Sequence, residues 1–139
     1  MKGDLLNGIK IVDFTTYAAA PCSARILADW GADVIKVEGA SGDPMRGFGV
    51  NMAQTPYTDD ENPVWEYENG NKRGIVLDLK NPKGMEAMHK LLSEADAFVS
   101  NVRLGSLEKL GLTYEALHEK YPKLVVGHIS GYGLFGKDA

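Results

Sequence analysis

The sequence has little cysteine, no excess of positive charge and no long apolar run. Cys22 is the single cysteine among 139 residues, so no internal disulfide can form, which is typical of a reducing compartment and predicts a cytoplasmic location. The net charge of -4 argues against nucleic acid or an anionic membrane as a partner. No apolar run approaches the length of a membrane span, and the first residues lack the apolar stretch of a signal peptide.

What the sequence does contain is an alternation of strand-like and helix-like segments. Runs rich in β-branched residues predict five strands, over Gly8–Phe14, Asp33–Glu38, Arg73–Lys80, Ala97–Ser100 and Lys123–Ser130. Strands that alternate with helices form right-handed β-α-β units. The sequence therefore predicts an α/β fold: a Rossmann-like, mainly parallel five-stranded sheet with helices on both faces.

Turn and capping residues locate the segments between the strands. Helices are predicted over Pro21–Gly31, over Asn81–Ala95 with Asn81 as N-cap, and over two short segments capped by Ser106 and Thr113. The segment from Gly39 to Asn62 is rich in Gly, Pro, Asp and Asn and predicts a long loop. Loops of this length inside a compact domain are usually functional lids or mobile segments.

Small and polar residues gather just after each predicted strand. In parallel α/β sheets, ligands bind outside the carboxyl ends of the strands. The segments at those ends are TTYAAAP, EGASGDP, KNP, NVRLGS and SGYGLFG. Five such segments together predict a ligand-binding edge.

Glu38 ends the second strand, where an acidic residue holds the ribose of NAD in dinucleotide-binding folds. The pyrophosphate fingerprint also needs glycines between the first strand and the first helix. That turn, Thr15 to Pro21, contains none, and alanines do not readily adopt the positive φ angles involved. The pattern disfavours a small NAD-dependent oxidoreductase. It leaves Glu38 either as a ribose ligand or as a solvated charge at the strand end.

The remaining candidate residues form no recognisable catalytic or metal-binding pattern. Cys22 lies near a predicted helix start, but no histidine is close to it in sequence. The three histidines lack metal-ligand spacing, so no metal site is predicted. Lys72 and Arg73 precede the third strand and are either phosphate ligands or ordinary surface charges.

A series of blocks along the chain resembles a known family. The blocks are GIKIVDFTTYAAAPCSARILADWGADVIKVE, GDPMRG, NGNKRGIVLDLKNPKG, ADAFVSNVRLGSLEKLGLTYEAL and ISGYGLFG. In this order they resemble the N-terminal part of the class III CoA-transferases, which act on formyl-CoA, carnitine or 2-hydroxy acids. The AAAPC segment, with Ala18 where the formyl-CoA enzyme has glutamine, is most similar to the 2-hydroxy-acid branch.

The resemblance implies that coenzyme A is moved between an acyl-CoA thioester and a carboxylic acid, through a covalent aspartyl intermediate. It implies no metal. The positions that match the CoA-binding residues of the family are Tyr17, Ala18 and Ala19 near the thioester; Gly39, Leu77 and Lys80 towards the nucleotide; and Asn101, Val102, Arg103 and Lys109. Gly39 replaces a basic residue that packs on adenine in some members, and Lys109 replaces an arginine.

The aspartate nucleophile of the family follows the glycine-rich loop, in a Pro-Gly-aromatic-Asp segment. The 139 residues do not include that segment, and Asp138 does not match it, so no catalytic residue is predicted. The resemblance implies that residues 1–139 are the N-terminal part of the large CoA-binding domain, inactive alone, of a homo-oligomer whose full-length members form interlocked dimers. The alternative is a stand-alone nucleotide-binding module with a regulatory or scaffold role.

Overall fold

Five parallel strands form one sheet in the computed structural model, which describes residues 4–47, 62–134 and 136–137. The strands are β1 (Lys10–Phe14), β2 (Asp33–Glu38), β3 (Arg73–Val76), β4 (Ala97–Ser100) and β5 (Val125–His128). Their order across the sheet is β3-β2-β1-β4-β5, and each neighbouring pair is parallel. The predicted α/β fold with a parallel five-stranded sheet is confirmed.

The helices follow the strands as the β-α-β pattern requires. They are α1 (Ala19–Asp29), α2 (Pro63–Asn69), α3 (Pro82–Glu94), α4 (Leu104–Leu110) and α5 (Tyr114–Lys120). The predicted caps Asn81 and Thr113 are confirmed, because their side chains accept hydrogen bonds from the backbone N–H groups of Lys83 and Ala116. None of the helices in the described ranges is long and apolar enough to cross a bilayer.

Several boundaries differ from the sequence prediction. The helix predicted to start at Pro21 starts two residues earlier, with Pro21 still in the first turn, where a missing N–H removes no helical bond. Ser106 is not a cap, since α4 already begins at Leu104. The edge strands β3 and β5 are shorter than predicted. Of the predicted loop from Gly39 to Asn62, residues 48–61 lie outside the described residues.

Side chains alternate between two faces of the sheet and build a different core on each. On one face the largest apolar cluster packs beneath α3, α4 and α5; its buried members are Val12, Val37, Met88, Leu92, Phe98, Leu107, Leu112, Leu117 and Leu124. On the other face a smaller cluster packs beneath α1; its buried members are Ile11, Ala24, Ala28, Ala32 and Val34. Helices therefore cover both faces, as predicted.

The strand order places a topological switch point beside β1. The chain moves from β1 outwards through β2 to β3, then returns to the other side of β1 and continues through β4 to β5. The loops that follow β1 and β4 consequently leave the sheet in opposite directions and open a crevice at the carboxyl ends of these strands.

Candidate functional site

A crevice of about 910 Å³ lies at the carboxyl ends of β1, β4 and β5. Its wall includes Ala19 at the start of α1, Asn101 and Arg103 after β4, and His128 to Leu134 after β5. Three residues that the sequence predicted for CoA binding are thus brought together by the fold. The glycine-rich segment SGYG, residues 130–133, also lines the crevice.

Asn101 joins the two loops that border the crevice. Its side-chain Oδ1 accepts a hydrogen bond of 2.9 Å from the backbone N–H of Thr16, and its Nδ2 donates one of 2.8 Å to the backbone carbonyl of the same residue. The side chain therefore mimics a strand neighbour and fixes the loop after β1 against the loop after β4. Its predicted contact with CoA stays a prediction.

Tyr17 stands at the tip of the loop after β1 in an uncommon backbone conformation. Its φ is 61°, in the left-handed region that glycine prefers, and the residue is 55% exposed. Its backbone N–H donates to Oδ1 of Asp43 over 3.2 Å. An aromatic residue in this region is strained by about 1 kcal/mol or more. Neighbouring contacts must therefore hold Tyr17 there, with its phenol in solvent at the carboxyl edge.

The remaining predicted CoA-binding residues lie along the same edge or next to it, outside the crevice wall. Gly39 follows β2, and Leu77 and Lys80 follow β3; all three begin or lie in loops at carboxyl ends. Val102 follows β4, where its N–H donates to the hydroxyl of Ser100. Lys109 is exposed in the last turn of α4.

The loop that carries Leu77 and Lys80 touches the backbone of α3 at Gly84. A Cβ at this position would lie 2.1 Å from the carbonyl oxygen of Asp78, which no side chain tolerates. Gly84 is therefore required by a close approach of two backbones. The contact fixes the position of the Leu77–Lys80 loop relative to the first turn of α3.

Glu38 is neither a ribose ligand nor a solvated charge in this structure. It is buried, its carboxylate accepts hydrogen bonds of 2.8 and 2.6 Å from Arg46, and it also accepts one of 2.9 Å from the backbone N–H of Asp43. Burial raises the pKa of Glu38, but these bonds and the charge of Arg46 outweigh it, so the net pKa lies below the usual value. Both sequence interpretations are wrong because they placed the side chain in solvent or in a ligand site.

Lys72 is likewise not a surface charge. Its ammonium group lies 2.8 Å from Oδ2 of Asp13 and also donates to the carbonyl of Pro21 and to Oδ1 of Asn69. Burial lowers the pKa of Lys72, and the adjacent Asp13 opposes that shift. Because all three of its donors have partners inside the protein, Lys72 is not available to a phosphate. Arg73, by contrast, is exposed and pairs with Asp33.

A second buried ion pair lies beside the first. Lys36 Nζ lies 3.0 Å from Oδ2 of Asp43, with both side chains at most 2% exposed, and donates to the carbonyl of Thr15 over 2.9 Å. Asp43 Oδ2 has no hydrogen-bond partner among the described residues, so its 3.0 Å contact with Lys36 is an ion pair. We call Asp13, Lys36, Asp43 and Lys72 the buried charge cluster.

Sequence reasoning missed this cluster, although a signal was present. Asp13 and Lys36 interrupt otherwise apolar strands, in IVDF and DVIKVE, and a charge inside a buried strand needs a partner. The two residues are direct neighbours in the β1–β2 register. Asp13 pairs with Lys72, which is distant in sequence, and Lys36 pairs with Asp43, which lies in a loop. The strand sequences alone therefore do not show which residues pair.

One further carboxyl group belongs to the same region. Glu68 on α2 is buried, and its Oε2 has no hydrogen-bond partner among the described residues. Burial raises the pKa of Glu68, and the nearby charge of Lys72 reduces that shift. Within the described ranges, no group of three or more His, Cys, Asp or Glu side chains is arranged to hold a metal ion.

Comparison with known proteins identifies the family. Residues 6–139 match the model of CoA-transferase family III. The chain is 50% identical over 129 residues to (R)-2-hydroxy-4-methylpentanoate CoA-transferase of Clostridioides difficile, covering 93% of this chain and 32% of that protein. It is 44% identical over 135 residues to cinnamoyl-CoA:phenyllactate CoA-transferase of Clostridium sporogenes, covering 97% and 32%.

A solved structure is also similar to this chain, in both fold and sequence. The crystal structure of a CAIB/BAIF family protein from Brucella suis superimposes with a TM-score of 0.87 at 35% identity, over 97% of this chain and 35% of that one. The chain spans about a third of the length of the curated relatives that it matches. The matched residues include both loops of the crevice, and the chain belongs to CoA-transferase family III.

Proposed function

We propose that the chain forms part of a CoA-transferase that moves coenzyme A between an acyl-CoA and a 2-hydroxy acid. The observation that carries the proposal is the crevice at the switch point, where Ala19, Asn101 and Arg103 meet the loop after β5. A crevice of this kind, at the carboxyl ends of parallel strands, is where α/β sheets bind ligands.

The residues around the carboxyl edge suit the two ends of CoA. The exposed guanidinium of Arg103 and the exposed amines of Lys80 and Lys109 are cations that phosphate groups attract as charge-assisted partners. The crevice wall is mostly apolar or glycine, which suits the uncharged pantetheine arm. In this arrangement the nucleotide lies towards β3 and the thioester lies near Tyr17, Ala18 and Ala19.

The reaction that we propose proceeds through an aspartate outside these 139 residues. The aspartate carboxylate attacks the acyl-CoA carbonyl, the C–S bond breaks, and a mixed anhydride and the CoA thiolate form. The thiolate then attacks the aspartyl carbonyl, which releases the first acid and leaves an aspartyl-CoA thioester. A 2-hydroxy acid repeats both steps in reverse and leaves as its CoA ester. The residues of this chain bind and orient CoA and supply no nucleophile.

The substrate class rests on the relatives. These relatives are named for transfer to 2-hydroxy-4-methylpentanoate and phenyllactate, which are both 2-hydroxy acids. We propose that residues 1–139 are the N-terminal part of the large CoA-binding domain, that they do not catalyse transfer alone, and that the protein is a cytoplasmic homo-oligomer of interlocked subunits.

The first experiment tests the ligand. Calorimetry on the complete natural polypeptide that carries these residues should detect CoA binding and no NAD binding. Replacing both Lys80 and Lys109 by alanine should weaken CoA binding roughly tenfold at low salt, and less at high salt because screening already reduces the attraction. Lys123→Ala removes an exposed lysine just before the amino end of β5 and is the matched control. Equal CoA affinity in the double variant and the control would refute the phosphate contacts assigned to Lys80 and Lys109.

The second experiment tests the substrate class. Transfer of CoA from a 2-hydroxyacyl-CoA to a panel of acids is followed by chromatography of the CoA esters. We expect turnover with 2-hydroxy acids and much lower turnover with the corresponding acids that lack the hydroxyl. A preference for oxalate or for acids without a 2-hydroxyl would contradict the substrate class but leave the CoA-transferase proposal standing. Full turnover by the isolated 139 residues would contradict their proposed lack of catalysis.

A further inference from the structure

The loop after β1 is held at nearly every residue by a polar contact from elsewhere in the chain. Asn101 holds both backbone groups of Thr16, and Lys72 donates to the carbonyl of Pro21 in the first turn of α1, directly after the loop. Lys36 donates to the carbonyl of Thr15, and Asp43 accepts from the N–H of Tyr17. Loops usually lie at the surface with much of their backbone in water, so such complete fixation is unusual.

The buried charge cluster supplies most of these contacts. Three of its members bond the backbone of residues 15–21: Lys36, Asp43 and Lys72. The fourth, Asp13, pairs with Lys72 and accepts a hydrogen bond from the hydroxyl of Thr15. Most of the cluster's hydrogen bonds to backbone groups therefore go to the loop after β1 and to the first turn of α1.

Stability alone does not account for two buried ion pairs. Desolvating the charges costs about as much as their attraction returns, and apolar side chains of similar volume are often equally stabilising. What the charged arrangement adds is direction, because each contact joins a fixed donor to a fixed acceptor. The loop that it fixes contains Tyr17, whose left-handed φ of 61° needs external support.

We propose that Lys36 and Asp43 are positioning residues that hold Tyr17 at the carboxyl edge for CoA. The inference rests on the proposed function, because it assigns the phenol of Tyr17 a contact with CoA or its acyl group. Lys36 fixes the carbonyl two residues before Tyr17, and Asp43 fixes the N–H of Tyr17 itself. Lys36 and Asp43 are in turn fixed by their own contact of 3.0 Å. Neither positioning residue touches the ligand.

The test is a double-mutant cycle on CoA affinity in the complete natural polypeptide. Tyr17→Ala is combined with the pair Lys36→Met and Asp43→Leu, which replaces the ion pair by apolar side chains. In the unaltered protein, Tyr17→Ala should weaken CoA binding roughly fivefold. In the apolar-pair background the same change should weaken it by less than about twofold, because Tyr17 is no longer held in place.

Two further variants separate positioning from a general loss of structure. Lys36→Met with Asp43→Asn keeps a side-chain oxygen for the Tyr17 N–H, so Tyr17→Ala should again weaken CoA binding measurably in this background. If the apolar-pair variant does not fold, this variant takes its place in the double-mutant cycle. Lys10→Met with Glu94→Gln removes an ion pair that lies at the amino ends of the strands, and the Tyr17 contribution should be unchanged there. The proposal is overturned if Tyr17→Ala weakens CoA binding by the same factor in every one of these backgrounds.

Hydrogen exchange at individual amides is a second measurement, and it does not depend on CoA. In the apolar-pair variant the Tyr17 amide should exchange at least roughly tenfold faster than in the unaltered protein, while the amides of β1 and β4 keep their protection. In the Asn counterpart, which keeps an acceptor for this amide, exchange should also be faster than in the unaltered protein, but by a smaller factor. An unchanged Tyr17 amide overturns the positioning role. If the unaltered protein binds no CoA, the proposed function fails, and this exchange result alone then decides whether Lys36 and Asp43 hold the loop.

Discussion

The two faces of the sheet are stabilised by different interactions, apolar packing on one and, in part, buried ion pairs on the other. The apolar face, beneath α3, α4 and α5, is a continuous cluster of Val, Leu, Met and Phe side chains around Phe98. The charged face, beneath α1 and α2, has a small alanine-rich core near the amino ends of the strands and the buried charge cluster near their carboxyl ends.

The difference follows the direction of the strands. At the amino ends the core beneath α1 is built mainly from small side chains, Ala24, Ala28 and Ala32. At the carboxyl ends the loops must keep defined positions, and hydrogen bonds to buried charges supply direction that apolar contacts cannot. The comparison teaches that the apolar face mainly provides stability, whereas the carboxyl half of the charged face mainly provides geometry.

The largest expected effect lies on the apolar face. Phe98 is fully buried, at 0% exposure, and Phe98→Ala should lower the free energy of unfolding by about 4 kcal/mol. The measurement is urea unfolding, with CoA affinity determined on the molecules that remain folded. That affinity should be nearly unchanged; a large loss of affinity in the folded fraction would contradict the division between the faces.

Breaking one ion pair of the charged face should have a slightly smaller effect. Lys72→Met leaves Asp13 buried without its cation and should cost about 3 kcal/mol of unfolding free energy. Adding Asp13→Asn removes the orphaned charge and should recover much of that loss. The first turn of α1 should stay more mobile in the recovered variant, since the Pro21 carbonyl has lost its donor. If the second change brings no recovery, the loss does not come from an unpaired charge.

The Leu77–Lys80 loop offers a third test, away from both clusters. Gly84→Ala places a Cβ where the carbonyl oxygen of Asp78 lies and should cost about 2 kcal/mol through displaced backbone. Because the loop that moves contains Lys80, CoA affinity should fall as well. Gly105→Ala is the matched control, because its Cβ would meet nothing closer than 3.9 Å. Equal effects of the two changes would argue against a close backbone contact.

The smallest effect concerns the pH dependence of Glu38. Its pKa lies below the ordinary value of 4.5, so its contribution to stability is present above that value and is lost as the pH falls through the lower, folded pKa. Glu38→Gln should remove about 1 kcal/mol at neutral pH, and the difference from the unaltered protein should shrink in acid. Chemical unfolding between neutral pH and pH about 3 measures this; a difference that grows in acid would contradict the Arg46–Glu38 pairing.

The fold was predictable because its signals are local. The β-branched runs around Ile11, Val34 and Phe98 predict strands, and the pair Asn81–Pro82 predicts the start of α3. The same pair occurs at Asn62–Pro63 and caps α2 through a hydrogen bond from the N–H of Trp65, so that missed helix was also readable.

The candidate site was predictable only in part. The positions of Ala19, Asn101 and Arg103 follow from the strand order, because residues after β1 and β4 must meet at the switch point. The two hydrogen bonds between Asn101 and Thr16 do not follow, since they depend on the spacing of two loops that are 85 residues apart in sequence. The resemblance to a family supplied the ligand, which residue types alone left open.

By itself the sequence determined the alternation of strands and helices, the parallel sheet and the edge that we propose binds a ligand, because periodicity, caps and handedness are properties of short segments. Tertiary structure alone decided which charges are buried and with whom. Glu38, Lys36 and Lys72 are ordinary charged residues in the sequence, and their partners Arg46, Asp43 and Asp13 come from other elements. Burial is a property of the folded surroundings, and only the packing of α1 and α2 over the carboxyl half of the sheet turns these charges into a scaffold for the loop that carries Tyr17.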